Sequence, residues 1–356
     1  MLGLSIKGLS YYIPEGRRTN DEVIEKIIKE NEGNLSPEDL DFLAYGYKKK
    51  LEFLEIKTRA YGKDLGKDGA VQMAIKVCQS AIEKAGLKPE DIDCIMVSST
   101  CNPFREPSFA IMLAHQLGIN QGDFFDIGDS CNGFLKSMEL ASFYVKSGKY
   151  ENILLVSSES PLELSDALGT NLRMDSVDDA DNKVNILFVG SGAGAMVVGK
   201  DNGEKVVRHY YEKRESKDWD AALYVVPFIE MPPIRFGERK GGSWSDGRAI
   251  ASGTIKDMPD VIKQGISELG IDLKSVDHVF MHQMGRNITF AILDKLEIDR
   301  SKFPINTFQE YGNMGSSNLP VGLALADEQG LLKKGDSILL LGSACGLSYS
   351  FVHIVW

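Results

Sequence analysis

The chain repeats itself, and this internal repeat constrains its fold more than any other feature. The segment KAGLKPEDIDCIMVSST at 84–100 resembles ELGIDLKSVDHVFMHQM at 268–284, at an offset of 184 residues. ENILLVSSE and DSILLLGSA then align at an offset of 185. Between them, Cys131 aligns roughly with Asn313, at an offset of 182. Three segments in the same order at nearly one offset indicate a duplication.

Each half alternates short apolar runs with amphipathic helical stretches. In the first half, the periodicity predicts a helix over 70–85, ended by Gly86, and a buried strand over 92–98. A helix over 135–145 and a strand over 153–156 follow. Alternating strands and helices predict an α/β fold, and continuously apolar strands indicate largely parallel sheets buried on both faces. Two such halves that share central helices predict an α/β/α/β/α sandwich.

The repeat divides the chain into a first half, residues 1–200, and a second half, residues 201–356. Two polar stretches interrupt the alternation. Residues 35–54 are charged and have a helical pattern, and residues 161–185 are rich in Asp. We expect both to be insertions that cover or border a site, with solvated surface segments as the alternative.

Composition excludes several classes of protein. Forty basic and 51 acidic residues give a net charge of −11, which argues against non-specific nucleic-acid binding. No apolar run approaches the ~20 residues that span a bilayer, and the start of the chain lacks the pattern of a signal peptide. We therefore expect a cytoplasmic protein without a membrane span.

The five cysteines are scattered and form no CxxC pair, so neither a disulfide framework nor a structural zinc site is expected. Four of the five histidines lack metal-ligand spacing, and no metal is predicted; these four are His115, His209, His278 and His353. The run VGSGAGAMVVG leads into a strand rather than a helix. It therefore predicts close backbone packing and not a dinucleotide site.

Three polar residues follow predicted strands or turns. Cys131 lies between an apolar strand and a helix, where helix amides stabilise a thiolate and donate to an oxyanion. His282 directly follows a strand, where open α/β sheets bind ligands, and Asn313 lies in a glycine-flanked loop. Singly, each has an ordinary structural alternative. Together they predict thiol acyl chemistry, with an enolate oxygen held by the histidine and the asparagine.

The motifs DSCNGF, HQMGRNI and GNMGSSNLP, in that order, resemble the Cys–His–Asn set of β-ketoacyl-acyl carrier protein synthase III enzymes, which belong to the thiolase-like superfamily. The resemblance covers nearly the whole chain. It implies a duplicated five-layered sandwich with mixed, largely parallel sheets, and a homodimer. It also implies that Cys131 is the acylated nucleophile, that His282 and Asn313 bind the incoming thioester carbonyl, and that the amides of Cys131 and Gly346 form an oxyanion hole.

The resemblance also implies partners: acyl-coenzyme A or acyl carrier protein thioesters, with no separate cofactor. Arg286 is displaced by one position from the family's arginine but stays a candidate for carrier binding. A longer stretch, 35–54, replaces the short coenzyme A segment of the bacterial fatty-acid enzymes. The other basic candidates for an anionic carrier are Lys48, Lys49, Lys50, Arg235, Arg239 and Lys240.

Glu106 lies in a REPS segment that resembles a stretch of the head-to-head condensing enzymes of bacterial olefin synthesis. In those enzymes a glutamate reaches the partner subunit's active site and acts as a base. An exposed glutamate paired with Arg105 is the alternative.

The expected activity is that of an acyltransferase of fatty-acid or polyketide-type biosynthesis. Cys131 is loaded with an acyl group, which then undergoes decarboxylative Claisen condensation with a malonyl-type or β-keto thioester to give a β-ketoacyl product. Two alternatives stay open. One is non-decarboxylative head-to-head condensation with Glu106 as base, and the other is transfer of the acyl group to an alcohol or amine.

Overall fold

The structure, a computed structural model, describes residues 2–103, 106–163, 172–214, 216, 218–225 and 242–356. Its strands are β1 (Leu4–Tyr12), β2 (Arg17–Thr19), β3 (Thr58–Ala60), β4 (Cys94–Val97), β5 (Asp123–Asp126), β6 (Asn152–Glu159), β7 (Gly192–Lys200), β8 (Val206–Arg214), β9 (Ala222–Val225), β10 (Gly242–Ser245), β11 (His278–Met281), β12 (Ser337–Ala344) and β13 (Ser348–Val355).

The helices in these ranges are α1 (Asn20–Asn31), α2 (Pro37–Leu54), α3 (Leu65–Asp68), α4 (Ala70–Lys84), α5 (Phe109–Leu117), α6 (Gly133–Lys146), α7 (Asp179–Asn182), α8 (Gly247–Leu269), α9 (Arg286–Lys295), α10 (Phe308–Tyr311) and α11 (Asn318–Glu328). None of these described helices has the length and apolar character needed to cross a membrane.

Nine strands form one sheet in the order β11-β12-β13-β8-β1-β7-β6-β4-β5. The halves join where β1 pairs with β8 at Leu4 and Ser5. β4 pairs in parallel with β5 and β6, and β11 pairs in parallel with β12. The other pairs in this sheet are antiparallel. The predicted α/β fold with a mixed sheet is confirmed. Among the described strands, parallel pairs occur only among β4, β5 and β6 and between β11 and β12, toward the two edges of the sheet. The strands between these groups, β7, β1, β8 and β13, pair in antiparallel fashion and join the halves.

Three apolar clusters fill the space between the five layers, and the central cluster lies on both sides of the middle helical layer. One cluster lies between the first-half strands and helices α4 and α5. The second lies between the two halves, around α6 and α11. The third lies between the second-half strands and helices α8 and α9. The central helices α6 and α11 are therefore shared by both halves, and the predicted five-layered sandwich is confirmed.

The local predictions agree with the elements that form. The predicted helix over 70–85 is α4, and the glycine after it, Gly86, adopts a φ of +68° that favours glycine. The predicted strand over 92–98 is β4, whose four residues are all buried.

The duplication is visible in the positions of the elements. An offset of 184 carries β4 onto β11, and an offset of 185 carries β6 onto β12. The same offset of 185 carries a 3-10 turn at Ser130–Asn132, the first-half turn, onto one at Gly315–Ser317, the second-half turn. This register corrects the rough sequence alignment. The counterpart of Cys131 is Ser316, and Asn313 lies in the loop just before the second-half turn.

Candidate active site

One cavity of about 870 Å³ is lined by Cys131, His282 and Asn313 together. It lies at the carboxyl ends of four strands, since its lining also includes residues that end or follow β4, β6, β11 and β12. Parallel strands of an α/β fold commonly bind ligands at this edge. The three residues predicted from sequence are therefore brought to one site from both halves of the chain.

Cys131 occupies the first-half turn, immediately before α6. Ser130 beside it has a φ of +45°, and a Cβ added to Gly133 would lie 2.9 Å from Ser98 Cβ, so the turn is held tightly against the end of β4. Burial raises the pKa of the Cys131 thiol well above its usual range, and Cys345 and Glu159 raise it further. The backbone amide of Cys131 acts in the opposite direction but has a smaller effect. The expected thiolate is thus not the resting state, because burial outweighs the amide contribution.

His282 follows β11 and is only 3% exposed. Its backbone N–H donates to the carbonyl of Leu341 at 2.9 Å, which fixes the residue against β12. Burial lowers the pKa of His282 to about 4, against a smaller opposing effect of a hydrogen bond to the backbone of Gly315. The imidazole is therefore neutral near pH 7 and carries one N–H that can donate.

Asn313 is held by backbone on both sides. Its N–H donates to the carbonyl of Phe188 at 2.7 Å, and its carbonyl accepts from the N–H of Gly190 at 2.9 Å. Its side-chain Oδ1 accepts from the N–H of Gly315 at 2.9 Å. The donor Nδ2 is consequently the end of the carboxamide that a ligand in the cavity can use.

The glycine run before β7 allows the two halves to approach closely. A Cβ on Gly190 would lie 1.8 Å from the carbonyl oxygen of Tyr311, and one on Gly194 would lie 2.8 Å from Pro320. The prediction of close backbone packing for this segment is confirmed. Its consequence is that the loop of Asn313 rests directly on the first half.

Glu159, the last residue of β6, lines the cavity and was missed by the sequence reasoning. It is 1% exposed, and its carboxylate accepts hydrogen bonds from Thr100, Cys101 and Ser316. The signal was present in the sequence, since Glu159 ends an apolar strand just as His282 follows one. That comparison could have identified it.

Two further thiols, Cys101 and Cys345, line the same cavity. Burial raises the pKa of Cys345 to about 11 and that of Cys101 well above its usual range. Gly346, the predicted second oxyanion donor, has a φ of +108° in the turn between β12 and β13. Its role stays a prediction.

Helix α2 covers part of the cavity, as expected for the stretch at 35–54, and contributes Lys49, Lys50, Phe53 and Leu54 to the lining. The second expected insertion contributes Pro161, two residues of α7 and two residues after it; these four are Asp181, Asn182, Val184 and Asn185. Residues 164–171 of that stretch lie outside the described ranges.

Arg286 is not among the residues that line the cavity, and its role in carrier binding stays a prediction. Its guanidinium pairs with Glu55 at 2.8 Å and lies over the ring of Phe290 at 4.9 Å. Asn287 beside it donates to the carbonyl of Phe53 at 2.6 Å. The start of α9 thus fixes the end of α2, and the sequence position of Arg286 alone did not reveal this structural pairing.

The other basic candidates differ in their surroundings. Lys49 and Lys50 line the cavity and pair with Glu52 and Asp181 respectively. Lys48 is exposed and is not part of the lining. Three predicted carrier-binding residues lie outside the described ranges: Arg235, Arg239 and Lys240.

Glu106 is exposed and does not line the cavity of its own chain. It lies five residues beyond Cys101, which does line the cavity. Its own chain therefore does not place this carboxylate at Cys131, and a catalytic role requires a partner subunit's cavity.

Most of the cavity wall away from the three polar residues is apolar. The apolar side chains come from α2, from the segment before β7, from α8, from the β11–α9 connection and from α9; they include Phe53, Leu54, Val184, Phe188, Ile250, Ile255, Met284 and Ile288. Such a wall favours burial of a hydrocarbon chain, at roughly 25 cal/mol per Å² of apolar surface removed from water. The cavity can therefore bind an apolar acyl group next to a thiol, a neutral imidazole and an amide donor.

Comparison with known proteins gives a consistent result. The family model described as 3-oxoacyl-[acyl-carrier-protein (ACP)] synthase III matches residues 125–212, and the model of its C-terminal part matches residues 266–356. A β-ketoacyl-[acyl-carrier-protein] synthase III of Clostridium tetani is 28% identical over 293 residues, which cover 80% of this chain and 83% of the relative. The enzyme of the same name from Aquifex aeolicus is 26% identical over 352 residues and covers 99% of both chains.

Solved structures show the same fold. A variant of Xanthomonas campestris OleA with bound lauric acid and lauroyl-CoA superposes with a TM-score of 0.83 at 23% identity, covering 99% of each chain. The 3-oxoacyl-[acyl-carrier-protein] synthase III of Aquifex aeolicus superposes with a TM-score of 0.80 at 24% identity, covering 99% of this chain and 100% of the other.

Proposed function

Because the chain belongs to the 3-oxoacyl-[acyl-carrier-protein] synthase III family of acyltransferase condensing enzymes, we propose that it joins two acyl thioesters through an acyl group carried on Cys131. The observation that supports this most is the convergence of Cys131, His282 and Asn313 on one cavity. Each brings the group that its step needs: a thiol, a neutral imidazole and an amide donor.

The first half-reaction is acyl transfer. The sulfur of Cys131 attacks the carbonyl carbon of an acyl thioester, the bond to the carrier sulfur breaks, and the thiol proton leaves with the released carrier thiol. Burial raises the pKa of Cys131 well above its usual range, so the resting residue is a thiol. The amides of Cys131 and Gly346 are proposed to stabilise the transient oxyanion.

The second half-reaction forms the carbon–carbon bond. A malonyl-type thioester loses carbon dioxide, and the electrons of the broken bond form an enolate. The enolate oxygen accepts hydrogen bonds from His282 and from Nδ2 of Asn313. The enolate carbon then attacks the Cys131 thioester and breaks the carbon–sulfur bond, which gives a β-ketoacyl product and a Cys131 thiolate that takes up a proton from solvent.

We propose that the starter is an acyl group with an extended apolar chain. The wall formed by α2, α8 and the segment after β11 offers apolar side chains next to Cys131. The OleA structure with lauroyl-CoA is consistent with a fold that accepts such a chain. Coenzyme A and acyl carrier protein are both proposed carriers, and a homodimer and a cytoplasmic location belong to the same proposal.

Intact-protein mass spectrometry tests the proposal directly. The protein is incubated with a panel of acyl-coenzyme A and acyl carrier protein thioesters of increasing chain length, and the added mass is mapped to a residue. We expect one acyl group on Cys131 and none in Cys131→Ala. Cys345→Ala, which changes another thiol of the same cavity, serves as the matched control and should still be acylated. Acylation that persists in Cys131→Ala would refute the assignment.

A second chemistry, favoured by the surface position of Glu106, is proton abstraction from a saturated acyl thioester by Glu106 of a partner subunit. Supplying a single saturated acyl-coenzyme A without a malonyl donor distinguishes the two. Head-to-head product that Glu106→Gln abolishes, with Cys131 still acylated, would establish this route, since loss of a general base typically costs about 10²–10⁴-fold. Product only with a malonyl donor, in wild type and Glu106→Gln alike, supports the decarboxylative route.

An acyl ester or amide as product would instead identify transfer to an alcohol or amine.

A further inference from the structure

We infer that Glu159 is a positioning residue for condensation: its buried carboxylate joins the two halves of the chain and holds the second-half turn, and with it Asn313, in place in the cavity that Cys131 and His282 also line. This inference rests on the proposed roles of those three residues.

The carboxylate of Glu159 binds both halves at once. From the first half, Thr100 donates its N–H to Oε1 at 2.9 Å and its hydroxyl to Oε2 at 2.6 Å, and the N–H of Cys101 donates to Oε2 at 2.9 Å. From the second half, Ser316 donates its hydroxyl to Oε1 at 2.7 Å and its N–H at 3.3 Å. Five donors converge on a side chain that is 1% exposed, an arrangement that suits a charged acceptor.

The second-half turn transmits this anchoring to Asn313, one of the two proposed enolate donors. The N–H of Gly315 binds Oδ1 of Asn313 at 2.9 Å. A Cβ on Gly315 would lie 2.9 Å from Oε1 of Glu159, so the turn rests on the carboxylate with no space between them. A displacement of the turn would therefore move the hydrogen-bond partner of Asn313, and misplacement by about 1 Å can cost about 10²-fold in rate.

Glu159 and Cys131 line the same cavity. The charge of Glu159 is one of the causes that raise the pKa of Cys131. Removing the charge should thus make the thiol ionise at lower pH, whereas removing only the contact to the turn should not. This separates the two effects of the residue.

The primary experiment compares Glu159→Gln with Glu163→Gln. Glu163 is a matched control, because it is also a buried glutamate just after β6, but it binds Gly62 and Ser191 and does not line the cavity. Acyl loading of Cys131, condensation turnover and the pH midpoint of Cys131 alkylation by iodoacetamide are measured in each. For Glu159→Gln we expect loading to be retained, condensation to fall by about 10²-fold and the alkylation midpoint to move to lower pH. Glu163→Gln should leave all three near wild type.

Ser316→Ala is the second variant, because it removes the contacts of this hydroxyl to Glu159, Ser98 and Ser157 and keeps the charge of Glu159. It should lower condensation without moving the alkylation midpoint. Condensation within about threefold of wild type in a folded Glu159→Gln, or equal loss of loading and condensation, would overturn the inference. If Glu159→Gln does not fold, unchanged condensation in Ser316→Ala overturns it. If wild-type Cys131 is not acylated at all, the proposed function fails, and an unmoved alkylation midpoint in Glu159→Gln separately refutes the effect of the Glu159 charge on Cys131.

Discussion

The protonation states of Cys131 and His282 are set by their surroundings more than by their own chemistry. The thiol of Cys131 is enclosed and holds its proton, and burial lowers the pKa of His282 to about 4 and so keeps the imidazole neutral. The carboxamide of Asn313 is oriented by the N–H of Gly315. A neutral donor pair matches an enolate oxygen that appears only during condensation, and this predicts unequal effects on the two half-reactions.

His282→Ala and Asn313→Ala should therefore spare acylation and impair condensation. Loss of one preorganised donor typically costs roughly 10²–10³-fold in rate. Acylation is followed by intact mass and condensation by product formation in the same samples. Equal loss of both half-reactions in either variant would assign that residue to acyl transfer instead.

At the scale of elements, glycines allow the segment that leads into β7 to approach the loop of Asn313 closely, and the tightest of these contacts is at Gly190. A Cβ on Gly190 would meet the carbonyl oxygen of Tyr311 at 1.8 Å, and the N–H of Gly190 also binds the carbonyl of Asn313. Backbone atoms cannot rotate away as a side chain can, so the loop itself would have to move.

Gly190→Ala should thus lower the free energy of unfolding by about 1–3 kcal/mol, the usual effect of overpacking. It should also reduce condensation more than acylation. Urea unfolding and the two half-reaction assays measure these effects. Gly33→Ala is the matched control, since a Cβ there meets nothing within 4 Å. Wild-type stability of Gly190→Ala would contradict the tight contact.

The pairing of β8 with β13 brings two histidines into contact, and we expect this contact to depend on pH. The rings of His209 and His353 stack with centroids 5.6 Å apart, and Nε2 of His353 lies 3.0 Å from the hydroxyl of Ser337. Burial, together with His209 and Arg208, lowers the pKa of His353 to about 4, and burial also lowers that of His209. The unfolded chain, with a histidine pKa near 6.5, therefore takes up the proton first.

The contribution of His353 to stability should be complete above about pH 6.5 and be lost as the pH falls toward about 4. Its size is on the order of 2 kcal/mol when its partial exposure is considered. Urea unfolding at pH 7 and pH 4.5 in wild type and His353→Gln checks this. A variant that loses as much stability on acidification as wild type would show that His353 does not contribute.

At the scale of the whole molecule, a protein of net charge −11 has basic residues next to its cavity. Lys49 and Lys50 line the cavity with Arg248, while Lys48 lies on the same helix α2. We call the part of the surface formed by Lys48, Lys49, Lys50 and Arg248 the mouth of the cavity. An anionic carrier that approaches the mouth should be attracted over a Debye length of about 8 Å at physiological ionic strength.

The KM for a carried thioester should accordingly rise with salt, and Lys48→Glu combined with Lys49→Glu should raise it further at low salt with little change in kcat. Lys334→Glu is the control, because Lys334 is an exposed lysine before the amino end of β12, at the opposite end of the strand from the cavity. A KM that ignores both ionic strength and these charge reversals would exclude an electrostatic role for the mouth.

The sequence by itself determined the duplication, the α/β sandwich and the three residues Cys131, His282 and Asn313. Periodicity and strand ends are local properties, and a repeat at one offset brings equivalent strand ends to the same side of the molecule. The glycine run was equally predictable, because alternating glycines that lead into a strand indicate close packing rather than phosphate binding.

Only the tertiary structure decided how these residues are held. Glu159 meets Thr100 and Ser316 across distances of 59 and 157 residues along the chain, and Arg286 meets Glu55 across 231. Such partners follow from packing between the halves and leave no local pattern. The protonated thiol of Cys131 has the same origin, because desolvation depends on what encloses a group and not on the residues beside it in sequence.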